Sequence, residues 1–551
     1  MPRIDLSELE SGTELTCDIC IVGSGPAGST IASELSGTAL DVVLLESGAE
    51  VRQPDADALN AIESVGAPRE MDQWLVRNRI VGGSSHTWAG RCAPFDDIDF
   101  ERRDWVPHSG WPITLADLRP YLNRSCAYLG LGIGADYTDG KIWSEAGRAR
   151  PVRELDVAKV VPFFWQYSKD RINKHDVMRF ARSFLDALST NVRLVTNATV
   201  VRLNPNPAGS RLESIDAVSH AGSRHRITAR SFVLCAGGIE NARLLLCSND
   251  VESGGVGNRN DRVGRFLMDH PRGVLANLDA KRAAPVLRRF GLHHVKLPSG
   301  TYRFRHGFRL SDAVQRKEKL LNCTVWLDEE VFPDDPWRSL RMMLSKRSMS
   351  AKDLFSLLRR SDTLLKGTFD FAVRRQGLSR PLKALYLVGM TEQVPDPASR
   401  ITLSRRTDRL GVPIPRIDWK IDALEARSLC RLSELAGEEM ARLGYEKPIP
   451  ESWVGEARTL PAYFKDIAHP TGATRMAADP RDGVVDVNCR VHGVDGLFVV
   501  GSSVFPTAGH ANPTQMIVAL AIRAADHLKD RHGVGNPQRS RADEGMEFAH
   551  V

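Results

Sequence analysis

At 551 residues the chain is too long for one ordinary core, and two or three lobes are expected. Its composition, 42% hydrophobic and 26% charged, is that of a globular protein, and no run of eighteen apolar residues predicts a membrane span. A net charge of +6 over this length argues against a dedicated nucleic-acid binder.

The first residues, Met1-Pro-Arg-Ile-Asp-Leu-Ser-Glu8, lack an apolar signal region, so the expected address is the cytoplasm. Nine scattered cysteines suit a reducing compartment and free thiols. Cys17 and Cys20 have CxxC spacing, but they lie on the lead-in to an apolar strand rather than at a helix start, where a thiolate would be stabilised. The spacing is read as coincidence.

Residues 17–28 predict strand, tight turn and helix, and a second strand runs from Asp41 to Glu46. Gly23 permits the turn, Gly25 lets the backbone approach a pyrophosphate, and Gly28 lets helix and strand pack closely. A carboxylate at Glu46 can accept from both ribose hydroxyls of an adenosine and repels a 2′-phosphate, which disfavours NADP. Residues 77–100 form a long loop around Gly82-Gly83-Ser84-Ser85. Thr114 is the N-cap of a following helix.

Farther on, 191–203 is β-rich, and Ser231–Gly238 reads as a strand that runs through Ala236 and Gly237 into a helix, a second phosphate-cradle pattern. Residues 280–330 and 385–420 alternate turns with β-prone runs and suit an antiparallel sheet. The segment 336–383 predicts basic helices with a solvated cationic face. Near the end come His469-Pro-Thr-Gly472, then a strand–glycine module from Gly496 to Gly501 and Ser502, then His510-Ala-Asn512-Pro513-Thr514 opening a helix. The tail from about 533 reads as disordered, and 536–551 is set apart on that ground.

The glycine motif serves NAD and FAD alike. Two features favour FAD: the strand–glycine module returns near the C-terminus, and the 82–85 loop stands where an isoalloxazine needs close backbone approach. No HExxH, paired CxxC or His/carboxylate cluster suggests a metal, and no GxSxG elbow supports a serine hydrolase.

Taken together, these segments resemble the glucose–methanol–choline (GMC) flavoprotein oxidoreductases. The resemblance rests on the N-terminal cradle with Glu46, on Val81–Trp88, Cys235–Asn241, Val263–His270 and Glu392–Leu403, and on the block from His469 to Ala521. It implies an α/β fold: a discontinuous Rossmann-like FAD-binding domain (1–110, 190–275 and 465–535) and an α+β substrate domain (111–189 and 276–464) with an antiparallel sheet and covering helices. By the same resemblance the catalytic histidine falls on His469 and its partner on Asn512. Val200 matches the residue whose backbone holds adenine, and Gly501 and Ser502 match a pyrophosphate-contacting pair. Relatives that tether FAD do so through a histidine directly before the tryptophan of the glycine loop. That position is Thr87 here, with His86 one place off, so FAD is expected to be non-covalent.

The implied activity is oxidation of a CH–OH group, with a sugar, glycoside or other polyol favoured as substrate and oxygen or another acceptor taking the electrons. His469 is the expected base, since imidazole titrates near neutrality. Asn512 would hold the developing alkoxide. The amides of Asn512–Thr514 would face the flavin's N1/O2 edge. His510 is a second candidate, lining the pocket or replacing His469. His86 is a candidate to stack near the flavin, and His270 is read as structural. An FAD-containing lyase and a non-catalytic electron-transfer protein are the alternatives.

Overall fold

In the computed structural model, which describes residues 1–132, 134, 142–144, 151, 153–174, 176–337, 339–340, 361–373, 381–455 and 459–534, the strand Glu14–Val22 organises the first of two eight-stranded sheets. Its first half alternates exposed and buried residues, and Ile19–Val22 is buried throughout. An apolar run of that kind needs cover on both faces, as in parallel sheets. Val42–Leu45 and Arg224–Leu234 flank it in parallel. Val192–Thr196 and Arg3–Asp5 extend the sheet on one side, and Leu212–Ser219 and Ala198–Pro205 continue it as an antiparallel meander on the other.

Register decides where this sheet can work. Val22 pairs with Leu45 and with Leu234, and Leu234 pairs with Val499 of the short strand Leu497–Val499. The carboxyl ends of four strands therefore stand in one row. The turns after Val22, Leu45, Leu234 and Val499 leave at the same edge, where open α/β sheets bind their ligands. Helices Pro26–Leu35 and Leu115–Leu129 both pack on Thr514–Arg531. Thr114 caps Leu115–Leu129 through a reciprocal bond with Asp117, as the sequence predicts.

The second sheet is antiparallel, in the order Ile449–Pro450, Arg272–Leu278, Leu382–Thr391, Cys323–Val331, Gly300–Leu310, Val160–Tyr167 and Arg91–Cys92, with Leu292–Leu297 paired to Gly300–Leu310. Alternation sorts its faces. Val325, Leu327, Leu385 and Leu387 pack with helix Ala423–Arg442 in one core cluster, whereas Trp326, Val388 and Met390 join the core of the first sheet. The predicted sheet over 385–420 ends early. Pro395 and Pro397, which cannot donate to a ladder, follow Thr391. Beyond them, Arg400–Thr407 and Pro413–Asp418 build a separate three-stranded sheet with Glu63–Ser64.

The 77–100 loop is more ordered than its composition suggests, with a 3-10 turn at Gly83–His86, a strand at Arg91–Cys92 and a short helix at Asp97–Phe100. Most of the basic segment 336–383 and the tail 536–551 lie outside the described residues; Ser361–Ala372 is a helix. None of the nine cysteines is in a disulfide. Among the described residues no helix is long and apolar enough to cross a membrane.

Candidate active site

A cavity of about 470 Å³ opens at the row of strand ends. Three helices point their N-termini into it: Pro26–Leu35, Gly237–Cys247 and Thr514–Arg531. None has a side-chain cap, so their first N–H groups are left for a ligand, and the dipoles add positive potential. Such an arrangement suits an anion such as a pyrophosphate.

Gly23, Gly25, Glu46, Val200, Ala236, Gly237, Gly501 and Ser502 all line this cavity. Gly28 does not; it lies one turn behind, where a Cβ would stand 1.9 Å from the Gly23 carbonyl oxygen. Glu46 is buried and accepts from Ser24 Oγ (2.6 Å), Ser24 N (3.0 Å) and Gly48 N (3.0 Å). An ionised carboxylate has about four lone-pair sites, so one is left for a ligand hydroxyl. Burial pushes its pKa up, against those donors.

On the opposite flank, Gly83, Ser84 and Ser85 line the cavity, while Gly82 is set back and bonds through its N–H to Ser24 Oγ at 3.0 Å. A Cβ on Gly83 would meet Gly25 Cα at 3.0 Å, so the two glycine turns close on each other. His86 turns away: its Nε2 engages the Val81 carbonyl at 2.9 Å.

His469 and Asn512 come together at the cavity wall, with Pro513 and Thr514 beside them. Asn512 Nδ2 lies 3.4 Å from His469 Nε2, and the buried Asn512 Oδ1 has no partner. The loop carrying His469 is anchored by Asp269, which accepts from the His469 backbone N–H at 3.0 Å and is paired with Arg69 at 2.8 Å. Ala468, just before it, is held at φ 60, a strained setting for a residue with a side chain.

The other imidazole nitrogen explains why this edge is free. His469 Nδ1 is 3.1 Å from His270 Nδ1, and His270 Nε2 is 2.8 Å from the Gly509 carbonyl oxygen. A carbonyl only accepts, so the proton of His270 sits on Nε2 and its Nδ1 is a lone pair. His469 must then donate from Nδ1, which leaves its Nε2 bare toward Asn512 and the cavity. These tautomers follow from the partners. Burial, the His270 ring, Arg91 and Arg272 hold the His469 pKa down at about 3, against the pull of Asp269. The imidazole is neutral.

His510 does not reach the cavity. Its ring is fully buried, packs edge-on against Phe163 with centroids 4.5 Å apart, and has Nδ1 3.4 Å from Asp96 and 4.0 Å from Asp99. Arg309 Nε, 2.9 Å from Asp96, already supplies that cluster with a cation. Sequence reasoning read His270 as structural, whereas its ring faces His469. The same reasoning passed over Arg91, Arg272 and Trp326, which line the His469 end, and over Arg77, Arg79 and Glu240, an ion-pair network in the wall.

Comparison with known proteins bears on the family and its cofactor. A family model described as "GMC oxidoreductase" matches residues 395–521, and one described as "FAD dependent oxidoreductase" matches residues 18–251. The C-terminal part thus carries a GMC oxidoreductase domain and the N-terminal part an FAD-dependent oxidoreductase domain. The chain is an FAD-dependent oxidoreductase of GMC type.

The chain is 26% identical to 6'''-hydroxyparomomycin C oxidase of Streptomyces lividus over 94% of its own length and 93% of that protein's. It is 28% identical to the fructose dehydrogenase large subunit of Gluconobacter japonicus, over 62% of its own length and 55% of that subunit's. Among solved structures, formate oxidase shares the fold with a TM-score of 0.56 and 19% identity, over 95% of this chain and all of that one (100%). The cradle described above fits the GMC cofactor. It offers open helix N-termini, a carboxylate with a spare acceptor site, glycine turns without Cβ atoms and an orphaned carboxamide oxygen.

Proposed function

We propose that the protein oxidises a CH–OH group of a sugar, glycoside or other polyol, with His469 as base and Asn512 as the donor that holds the reacting oxygen. The observation that carries this reading is the approach of His469 Nε2 and Asn512 Nδ2 in one cavity with the dinucleotide cradle. The fructose and hydroxyparomomycin in the relatives' names support a polyhydroxy substrate.

In this reading 1–110, 190–275 and 465–535 hold FAD non-covalently, and 111–189 with 276–464 shape the substrate side. Glu46 and Val200 would hold the adenosine, Gly25–Ala27 with Gly501 and Ser502 the pyrophosphate, and Gly83–Ser85 with Asn512–Thr514 the ring system. Bound FAD supplies the hydride acceptor. His469 Nε2, kept bare by His270, takes the hydroxyl proton. A weakly basic imidazole is enough, because an alcohol losing hydride becomes a protonated carbonyl, which is a strong acid. Asn512 Nδ2–H steadies the oxygen while its charge changes.

The test is anaerobic mixing of FAD-loaded enzyme with sugars and polyols. Loss of the oxidised-flavin colour is expected with at least one, and absence of bleaching with all of them counts against the reading. His469→Ala should slow bleaching by roughly 10²–10⁴-fold with FAD retained, the range for a lost general base. An unchanged rate would remove His469 from the chemistry.

A further inference from the structure

The second sheet turns a cationic face toward the reacting pair. Arg91 and Arg272, from strands at different places in that sheet, both line the cavity beside His469. Their guanidinium carbons lie 4.9 Å and 5.2 Å from the centroid of the Trp326 ring, which is 1% exposed and forms part of the same wall. Contact with the aromatic ring fixes each planar fork without spending its N–H donors.

A third arginine stands close behind. Arg305 Nε donates to Tyr167 Oη at 3.2 Å, and Arg91 acts on the same phenol. Burial pushes the Tyr167 pKa up, yet the two guanidiniums outweigh it and hold the phenol at about 8. The facing carboxylates are fewer. Asp328 is 3.1 Å from Arg272, and Glu329 acts on Arg305. Among the described residues Arg91 makes no ion pair, and its buried Nε has no partner. Arg91 and Arg305 also push the Arg272 pKa down, adding to its burial, so the three cations oppose one another.

Arg91 and Arg272 stand at the His469 end of the cavity, near enough to depress that imidazole. The open N-termini that suit a pyrophosphate belong to the first sheet's edge. We propose that the substrate is an alcohol bearing an oxyanion group, a carboxylate or a phosphate, which sits against Arg91 and Arg272 while its hydroxyl meets His469 and Asn512. This rests on the alcohol-oxidation reading above. An oxyanion in that seat satisfies the spare donors of Arg91 and relieves the mutual repulsion of the arginines. It also offsets the positive charge that weakens His469 as a base, so the substrate strengthens the group that attacks it.

The test uses FAD-loaded enzyme and two readouts. In titration calorimetry, glucuronate or glucose 6-phosphate should bind about ten-fold more tightly than glucose, as expected for a charge-assisted fork. The two anions separate carboxylate from phosphate recognition. The preference should shrink with added salt and vanish in Arg91→Gln and Arg272→Gln, with visible flavin absorbance reporting that each variant is folded and loaded. In anaerobic bleaching, glycerate should outrun glycerol.

Equal binding of neutral and anionic sugars overturns the proposal, as does a preference that survives both substitutions. Anion binding without bleaching by any alcohol supports the arginine seat and sinks the alcohol reading. Bleaching by neutral alcohols alone does the reverse.

Discussion

His270 and His469 meet Nδ1 to Nδ1 at 3.1 Å, with ring planes at 86°. Neither ring could settle its own tautomer. The Gly509 carbonyl settles both, by claiming the Nε2 proton of His270.

Two substitutions separate positioning from mere packing. In His270→Asn the amide oxygen takes the place of Nδ1 and can still accept from His469. In His270→Gln the amide nitrogen takes the place of Nε2, and the acceptor is lost. Flavin reduction in the Asn variant should stay near wild type. In the Gln variant it should fall by at least about ten-fold, toward the ~10⁴-fold loss that follows when a catalytic histidine is held in the wrong tautomer. Stopped-flow reduction at matched FAD content checks this; equal losses in both variants would reduce His270 to a packing residue.

Acid should weaken the fold before it reaches the carboxylate range. His270, His306 and His510 are fully buried, and burial pushes the pKa of each below the ordinary value. The unfolded chain takes up protons near pH 6.5 that the native chain refuses, so stability rises with pH through the window below about 6.5 and is lost as pH falls through it. The urea midpoint should drop between about pH 7 and pH 5. A midpoint that does not change over that interval would mean these rings are protonated in the native state. With the His469 pKa at about 3, kcat/KM should show no inflection near the ordinary histidine value.

Gly28→Ala should yield a colourless or insoluble protein. The added methyl would stand 1.9 Å from the Gly23 carbonyl oxygen and 3.2 Å from Ile21 Cγ2, and a backbone turn shared by strand and helix cannot give way by that much. Gly25→Ala meets nothing within 4 Å in the protein itself. It should therefore fold and lose FAD affinity only. The flavin-to-protein absorbance ratio, measured with the melting temperature, distinguishes the two; full flavin loading of Gly28→Ala would contradict the geometry.

Local pattern made much of this legible. The spacing of Gly23, Gly25 and Gly28 after an apolar strand specifies a turn that only one packing satisfies. Asn512-Pro513-Thr514 announces a helix start, and His469 and Asn512 stand out because both sit next to glycine-rich or helix-opening segments. His270 stayed hidden because its partner is 199 residues away, and nothing local to Met-Asp-His-Pro tells a structural ring from a positioning one. The adjacent Asp269, which anchors the His469 loop, was the available signal. Arg91 and Arg272 were invisible for a related reason: which arginines share a sheet face depends on the order of strands drawn from four regions of the chain. His510 looked like a candidate by proximity to Asn512, but the turn between them sends its ring into the core against Phe163.

The short strand Leu497–Val499 completes a row begun by Glu14–Val22. Until it and the turn after it have left the ribosome, the nascent chain has strands that end at an unfinished edge and a glycine turn with nothing opposite. In the proposed site, cofactor capture therefore waits for the helix Thr514–Arg531, and flavin colour reports that synthesis has passed that point.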